Sequence, residues 1–164
     1  MTLLILIANN QPGTGLGTTL ECGLGREKHL MLSRWEPTLY AILRIITGLL
    51  FLSHGTSKLL GFPPSGMPGK IAVGSLPWIS GVIELICGFL ITVGLLTSIA
   101  AFIASGEMAV AYFMVHAKNG FHPLQNKGEL AVIYCFLFLY MWVRGSGPFS
   151  LDAAFRRGKT ARGA

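Results

Sequence analysis

Between Lys70 and Lys118 stand 47 residues without one lysine or arginine, and their only charges are Glu84 and Glu107. Charged residues make up 12% of the 164-residue chain, about half the usual share of a soluble domain. That length leaves room for one domain of four short spans and no separate soluble domain. Cysteine is scarce too: Cys22, Cys87 and Cys135, with no C-x-x-C spacing. That excludes a zinc knuckle and a thioredoxin-like motif. Absent as well are HExxH, the Glu-x-x-His pair of bundle-core di-iron sites, a glycine-rich phosphate loop and a nucleophile motif. No metal site is expected.

What is present is apolar length. As one helix, the stretch from Lys70 to Lys118 would run roughly 70 Å at about 1.5 Å per residue, against a bilayer core of about 30 Å. It must cross, turn and cross back. The turn reads at Gly94-Leu95-Leu96-Thr97-Ser98, where a glycine and two hydroxyl residues interrupt the run. The fold class expected is all-α, a transmembrane four-helix bundle. Its spans fall near 37–60, 76–96, 97–116 and 126–143. The first opens on Pro37, whose missing N–H costs nothing at a helix start. Loops are expected at Gly61–Gly69, rich in proline and glycine, and at Lys118–Pro123. Gly145-Ser-Gly-Pro148 breaks the last helix before a polar tail. Trp35, Trp78 and Trp142 stand near span ends, at headgroup level.

Residues 1–34 read as an N-terminal tail, either disordered or the product of a misplaced start ahead of Met31-Leu-Ser-Arg-Trp35. Residues 35–155 form the membrane domain, and 156–164 a basic tail. The net charge of +6 does not imply nucleic acid, because its basic residues gather at the chain ends. Eight lie on the terminal side: Arg26, Lys28, Arg34, Arg144, Arg156, Arg157, Lys159 and Arg162. Four lie on the other side: Lys58, Lys70, Lys118 and Lys127. The excess places both termini in the cytoplasm, with the chain as a multi-pass protein of the inner membrane.

Each span carries ionisable residues, and an ionised group at the bilayer centre costs about 2.5–3.5 kcal/mol. From the helical rise, Arg44, Glu107 and Glu84 lie roughly 10, 15 and 18 Å from the cytoplasmic side. Arg44 is thus expected to meet Glu84 or Glu107. His54 and Glu129, both near roughly 25 Å, are expected to meet each other. Lys58 reads as an interfacial anchor. Gly48 and Gly55 flank the Arg44–Phe51–Lys58 stripe, and Gly81 and Gly88 flank Glu84, so neighbouring backbones can approach. The polar cluster Arg44, Phe51, His54, Glu84, Glu107 and Glu129 is the candidate site. It serves either as internal glue that sets helix register or as a functional centre.

Arg44-x3-Gly48-x2-Phe51-x2-His54-Gly55-x2-Lys58-Leu59 resembles the first-span signature of the DoxX family. Glu84-Leu-Ile-Cys-Gly88 with Gly94–Ser98 resembles its second-span glutamate and hairpin. Asn126, Glu129 and Gly145-x-Gly147-x2-Ser150-Leu151-Asp152 resemble its fourth span and terminal motif. Ser98 departs from the pattern, standing where a basic residue often follows the hairpin threonine. The resemblance implies a small four-span membrane protein, with some relatives linked to respiratory or sulfur redox chemistry and to quinone. On that basis the chain reads as an accessory or scaffold subunit of a quinone-linked redox system rather than an enzyme by itself. No haem or iron–sulfur ligand set is present, and quinone is the one cofactor the reading admits. Arg44, Glu84 and Glu107 would hold its head group, with Phe51 and Phe89 beside it. A redox protein and a second copy of the chain are the partners it admits besides the bilayer. The alternatives are a small transporter or proton path, and a purely structural bundle.

Overall fold

The residues that make this chain apolar also make it helical. The computed structural model describes residues 17–64 and 71–162, with side chains for 33–64 and 71–158. Among the described residues every regular element is a helix. These are α1 (Gly17–Leu60), α2 (Leu76–Val93), α3 (Thr97–Ala111), the single turn α4 (Pro123–Asn126), α5 (Glu129–Arg144) and α6 (Leu151–Arg162). A π turn at Tyr112–His116 and a 3-10 turn at Ala117–Asn119 extend α3. The chain divides into two units, Met1–Glu36 and Pro37–Ala164. The second holds the bundle.

Among the described residues, three helical segments are long and apolar enough to cross a membrane: Ser33–Leu60, Leu76–Val93 and Thr97–Asn119. α5 has 16 residues, Glu129–Arg144, and is about 24 Å long. The molecule is inside-out relative to a water-soluble domain. Leu43, Ile46, Leu50, Ile86, Phe102, Ile133 and Phe136 face outward, while Arg44, Thr47, Glu84, Thr97 and Ser105 are buried. That distribution suits a hydrocarbon solvent, where outward apolar side chains cost nothing and polar ones must find partners within.

Small residues set the packing. A Cβ on Gly88 would stand 2.6 Å from the Leu52 nitrogen, and one on Gly55 would stand 2.5 Å from the Leu85 nitrogen. α1 and α2 therefore touch backbone to backbone, as the flanking glycines suggested. Ala100, Ala101 and Ala104 form a similar flat face on α3, against which α5 packs. Phe51, Ile91, Phe138 and Met141 fill the centre, each at most 1% exposed.

The hairpin lies where expected. Gly94 adopts φ +74° and ends α2, its N–H bonding back to the Leu90 carbonyl at 3.0 Å. Two boundaries differ from expectation. α1 begins at Gly17 and runs through Pro37, because Leu20–Leu32 is rich in good helix formers. After the break at Gly145–Pro148 the chain re-enters helix as α6. Ser150 starts it: its Oγ accepts the Ala153 N–H at 3.2 Å, and Asp152 sits favourably in the first turn. The Met1–Ala8 stretch and residues 65–70 of the first loop lie outside the described residues.

Candidate functional site

Side-chain direction decides which charges meet. Helical side chains lean toward their own N-terminus. α1 and α2 run antiparallel, with Gly48 against Gly88 and Gly55 against Gly81. On α1 the lean carries Lys58 into the bundle. On α2 it carries Glu84 up to meet it. The same lean carries Arg44 away from Glu84, toward the end of the bundle where α2 finishes.

Lys58 Nζ lies 2.8 Å from Glu84 Oε1 in an ion pair. It also donates to Ser80 Oγ at 2.7 Å, and Ser80 Oγ donates to Glu107 Oε1 at 2.7 Å. Glu84 is 3% exposed. Two carboxylate oxygens of this chain, Glu84 Oε2 and Glu107 Oε2, are buried without a hydrogen-bond partner, as is Ser57 Oγ on α1. Beside it stands an aromatic wall. Phe51 packs on Phe138 with ring centroids 4.7 Å apart and on Tyr134 at 5.7 Å, and Tyr134 stacks on Phe138 at 5.5 Å.

The expected pairing of Arg44 with Glu84 or Glu107 is corrected. Arg44 is 1% exposed and donates to carbonyls: to Ile91 O, to Thr92 O at 2.8 Å and to Phe149 O at 2.7 Å. The carbonyls at the end of α2 carry the negative end of its dipole, so a guanidinium suits them. Arg44 is a clamp between α1, the α2–α3 hairpin and the loop before α6. Asp152 ties the same end, accepting the Leu96 N–H at 3.2 Å while its own N–H reaches Gly94 O at 3.1 Å. That bond holds Leu96 at φ +49°, a conformation a leucine adopts only under constraint.

The expected meeting of His54 with Glu129 is also not made. Both are exposed. His54 stands edge-on to Tyr134 with centroids 6.3 Å apart, and Glu129 sits in the first turn of α5, where the dipole favours it. Phe89, placed beside a quinone by the sequence reading, faces outward at 55% exposure. Of the six candidates the structure gathers Glu84 and Glu107 through Ser80 and Lys58. Phe51 lies in the aromatic wall, and Arg44 stands at the other level. Lys58, Ser80 and Tyr134 were missed. The signal for Lys58 was the glycine spacing, which sets the α1–α2 register.

The DoxX family profile matches residues 39–117. An uncharacterised protein of Haemophilus influenzae is 44% identical over 128 residues, covering 76% of this chain and 96% of its own. The chain belongs to the DoxX family. An uncharacterised membrane protein of Mycobacterium tuberculosis is 29% identical over 78% of this chain and 88% of its own. CatD of Bacillus subtilis, provisionally named an oxidoreductase, is 29% identical over 72% of this chain and 87% of its own. No solved structure matches. Family and helices together make this DoxX chain a membrane protein with several apolar helices.

Proposed function

We propose that this DoxX chain is a four-span accessory or scaffold subunit of a quinone-linked redox system, placing one exchangeable proton beside a head group. The observation that carries the reading is the buried Lys58–Glu84–Ser80–Glu107 chain. One cation there faces two carboxyl groups, and in low dielectric such a set balances with one further proton or cation. The unmatched Oε2 atoms of Glu84 and Glu107 suit a ligand that both donates and accepts. Phe51, Tyr134 and Phe138 offer an aromatic wall, with Tyr134 and Phe138 nearly parallel and Phe51 tilted against both. A quinone, when bound, supplies two-electron, two-proton chemistry. The chain's own residues hold the head group, and Glu107, bonded through Ser80, gives or takes the proton. The name of the Bacillus relative supports a redox setting.

α4 and α5 together form the fourth span in this reading. Pro123 to Arg144 covers 22 residues, the single turn α4 and the left-handed Lys127 at φ +58° adding to the length of about 24 Å in α5. Both termini then share the basic, cytoplasmic side of the inner membrane. The spans are the membrane domain, 35–155, with tails on either side. Between the carboxyl layer and Arg44 the buried side chains Cys87, Ile91, Ala101 and Ala104 carry no charge, which favours a proton site over a path across the whole bilayer.

The test is quinone content after mild detergent extraction, read by mass spectrometry for the native chain, Glu84→Gln and Glu107→Gln. Quinone should co-purify with the native chain and fall roughly tenfold in the variants, with folding retained. Equal quinone in all three, or none in any, would overturn the reading. Loss of folding in both variants would assign the cluster to structure instead.

A further inference from the structure

A line of proton-passing groups reaches the carboxyl layer from one end of the bundle. Lys58 stands two residues before the end of α1, Ser80 lies in the second turn of α2, and Glu107 lies midway along Thr97–Asn119. The three step inward from the end where α1 finishes and α2 begins. Each step is a hydrogen bond. Lys58 Nζ donates to Ser80 Oγ at 2.7 Å, and Ser80 Oγ donates to Glu107 Oε1 at 2.7 Å. The Lys58 side chain is 15% exposed, against 4% for Glu84, and Glu107 Oε2 is buried. Ser80 is both acceptor and donor in one directed chain, the arrangement a proton relay needs.

Toward Arg44 the described residues offer no such line. Cys87, Ile91, Ala101 and Ala104 are buried there and uncharged. The hydroxyls of Ser105 and Thr92 are committed to backbone, donating to the Cys135 carbonyl at 2.8 Å and the Gly88 carbonyl at 2.7 Å. Arg44 stands beyond them, bonded to three carbonyls. A guanidinium does not release its proton, and its fixed positive charge repels one arriving from water. The other titratable side chains on the faces enclosing the carboxyl layer are Glu84 and Cys87 of α2 and Tyr134 of α5, all buried, and His54 of α1, which is exposed.

We propose that the carboxyl layer exchanges its proton with the Lys58 face of the membrane, through Ser80, and not with the Arg44 face. The inference rests on the reading of Glu107 as the site of an exchangeable proton, and needs no quinone. In the transfer an N–H bond of the Lys58 ammonium breaks as an O–H bond forms at Ser80. The hydroxyl's own O–H bond breaks as one forms at Glu107 Oε1. Lys58 is left a neutral amine and Glu107 a neutral acid. Water at that face reprotonates Lys58, and rotation of the Ser80 hydroxyl restores the chain. The reverse order releases the proton. Ser80 is a positioning residue, acting through Glu107. With both termini cytoplasmic the Lys58 face is the outer one, so a quinol oxidised at this site delivers its proton outside.

Full-length protein with a protease-cleavable tag after Ala164 is reconstituted in liposomes at unequal orientation. α6 starts at the Arg44 end, so cleavage from outside counts the molecules whose Arg44 face is outward. The outside medium is then shifted in pH with an impermeant buffer. The infrared band of the protonated carboxyl that Glu107→Gln removes is followed in time. Its prompt amplitude should equal the fraction with an uncleaved tag. Ser80→Ala should slow the prompt phase at least roughly tenfold, and Ser80→Thr, which keeps the hydroxyl, should return the rate to within about threefold. Circular dichroism checks the fold of each variant, and the orientation result needs only the native chain. The proposal falls if the amplitude follows the cleaved fraction, if both orientations respond promptly, if neither does, or if Glu107→Gln removes no band. It falls equally if folded Ser80→Ala exchanges at the native rate. A sided signal in protein that retains no quinone would overturn the quinone reading alone. Quinone retained, with the signal coming from the Arg44 face, would overturn this inference alone.

Discussion

Lys58 and Glu84 should behave as one unit, and Arg44 and Glu84 as two. The Lys58–Glu84 separation is 2.8 Å. At an effective dielectric of about 20 the attraction is roughly 6 kcal/mol, much of it offset by the cost of taking both ions out of water. Removing one partner leaves the other charge buried, at a cost of about 3–5 kcal/mol. Lys58→Met, which strips the buried carboxyl groups of their one cation, should therefore destabilise the fold by more than Lys58→Met combined with Glu84→Gln does. For a chain of this size, 3–5 kcal/mol corresponds to a fall in Tm on the order of 10 °C. Thermal unfolding in mild detergent, followed by intrinsic tryptophan fluorescence, reads it. Arg44→Leu with Glu84→Gln forms the comparison cycle. Arg44 bonds to carbonyls, so its loss should be severe, yet Glu84→Gln should not relieve it, and the two effects should add within about 0.5 kcal/mol. Additive damage in the Lys58 cycle, or rescue in the Arg44 cycle, would refute the assignment of charges.

Gly55→Leu should prevent α1 from closing on α2, since even its Cβ would press on backbone at Leu85; a cost above about 3 kcal/mol is expected, read as loss of monodisperse protein on size exclusion. Asp152→Ala should free the Leu96 N–H and cost about 1 kcal/mol, with faster hydrogen exchange confined to the hairpin at 94–98. Glu129→Gln, at an exposed first-turn position, should shift stability by less than about 1 kcal/mol. A cytoplasmic reporter fused after Ala164 should be active and a periplasmic one silent, as the basic-residue distribution requires.

The helical class, the hairpin and the glycine contacts were all legible, because each rests on a local property of the chain. Gly94 ends a helix by its own conformational freedom, and Gly48, Gly55 and Gly88 announce a close approach by having no side chain. The charge partners were not legible from depth alone. A depth estimate places the Cα of Arg44 near those of Glu84 and Glu107, but a long side chain acts several ångströms from its Cα. On antiparallel helices Arg44 and Glu84 point apart, while Lys58 and Glu84 converge. Ser80 was invisible for another reason: a serine in an apolar helix commonly bonds its own backbone, and only the third helix reveals that this one links two charged groups. α6 was hidden by composition. Arg156, Arg157 and Lys159 read as a tail, and the start at Ser150 depends on one hydroxyl.

The Arg44 clamp has a consequence for how the chain is made. Its acceptors lie at Ile91, Thr92 and Phe149, far downstream of the helix that bears it. A ribosome delivers Arg44 to the membrane before any of them exists. The first helix must wait with its guanidinium drawn toward the headgroups. Synthesis of α2 supplies two of the three carbonyls, and the last arrives only when the loop before α6 emerges. The bundle end closes near the completion of translation. A transcript cut short after α5 would yield a protein with its apolar helices in place and that end unsealed, a form that quality-control proteases could recognise by its unlatched arginine.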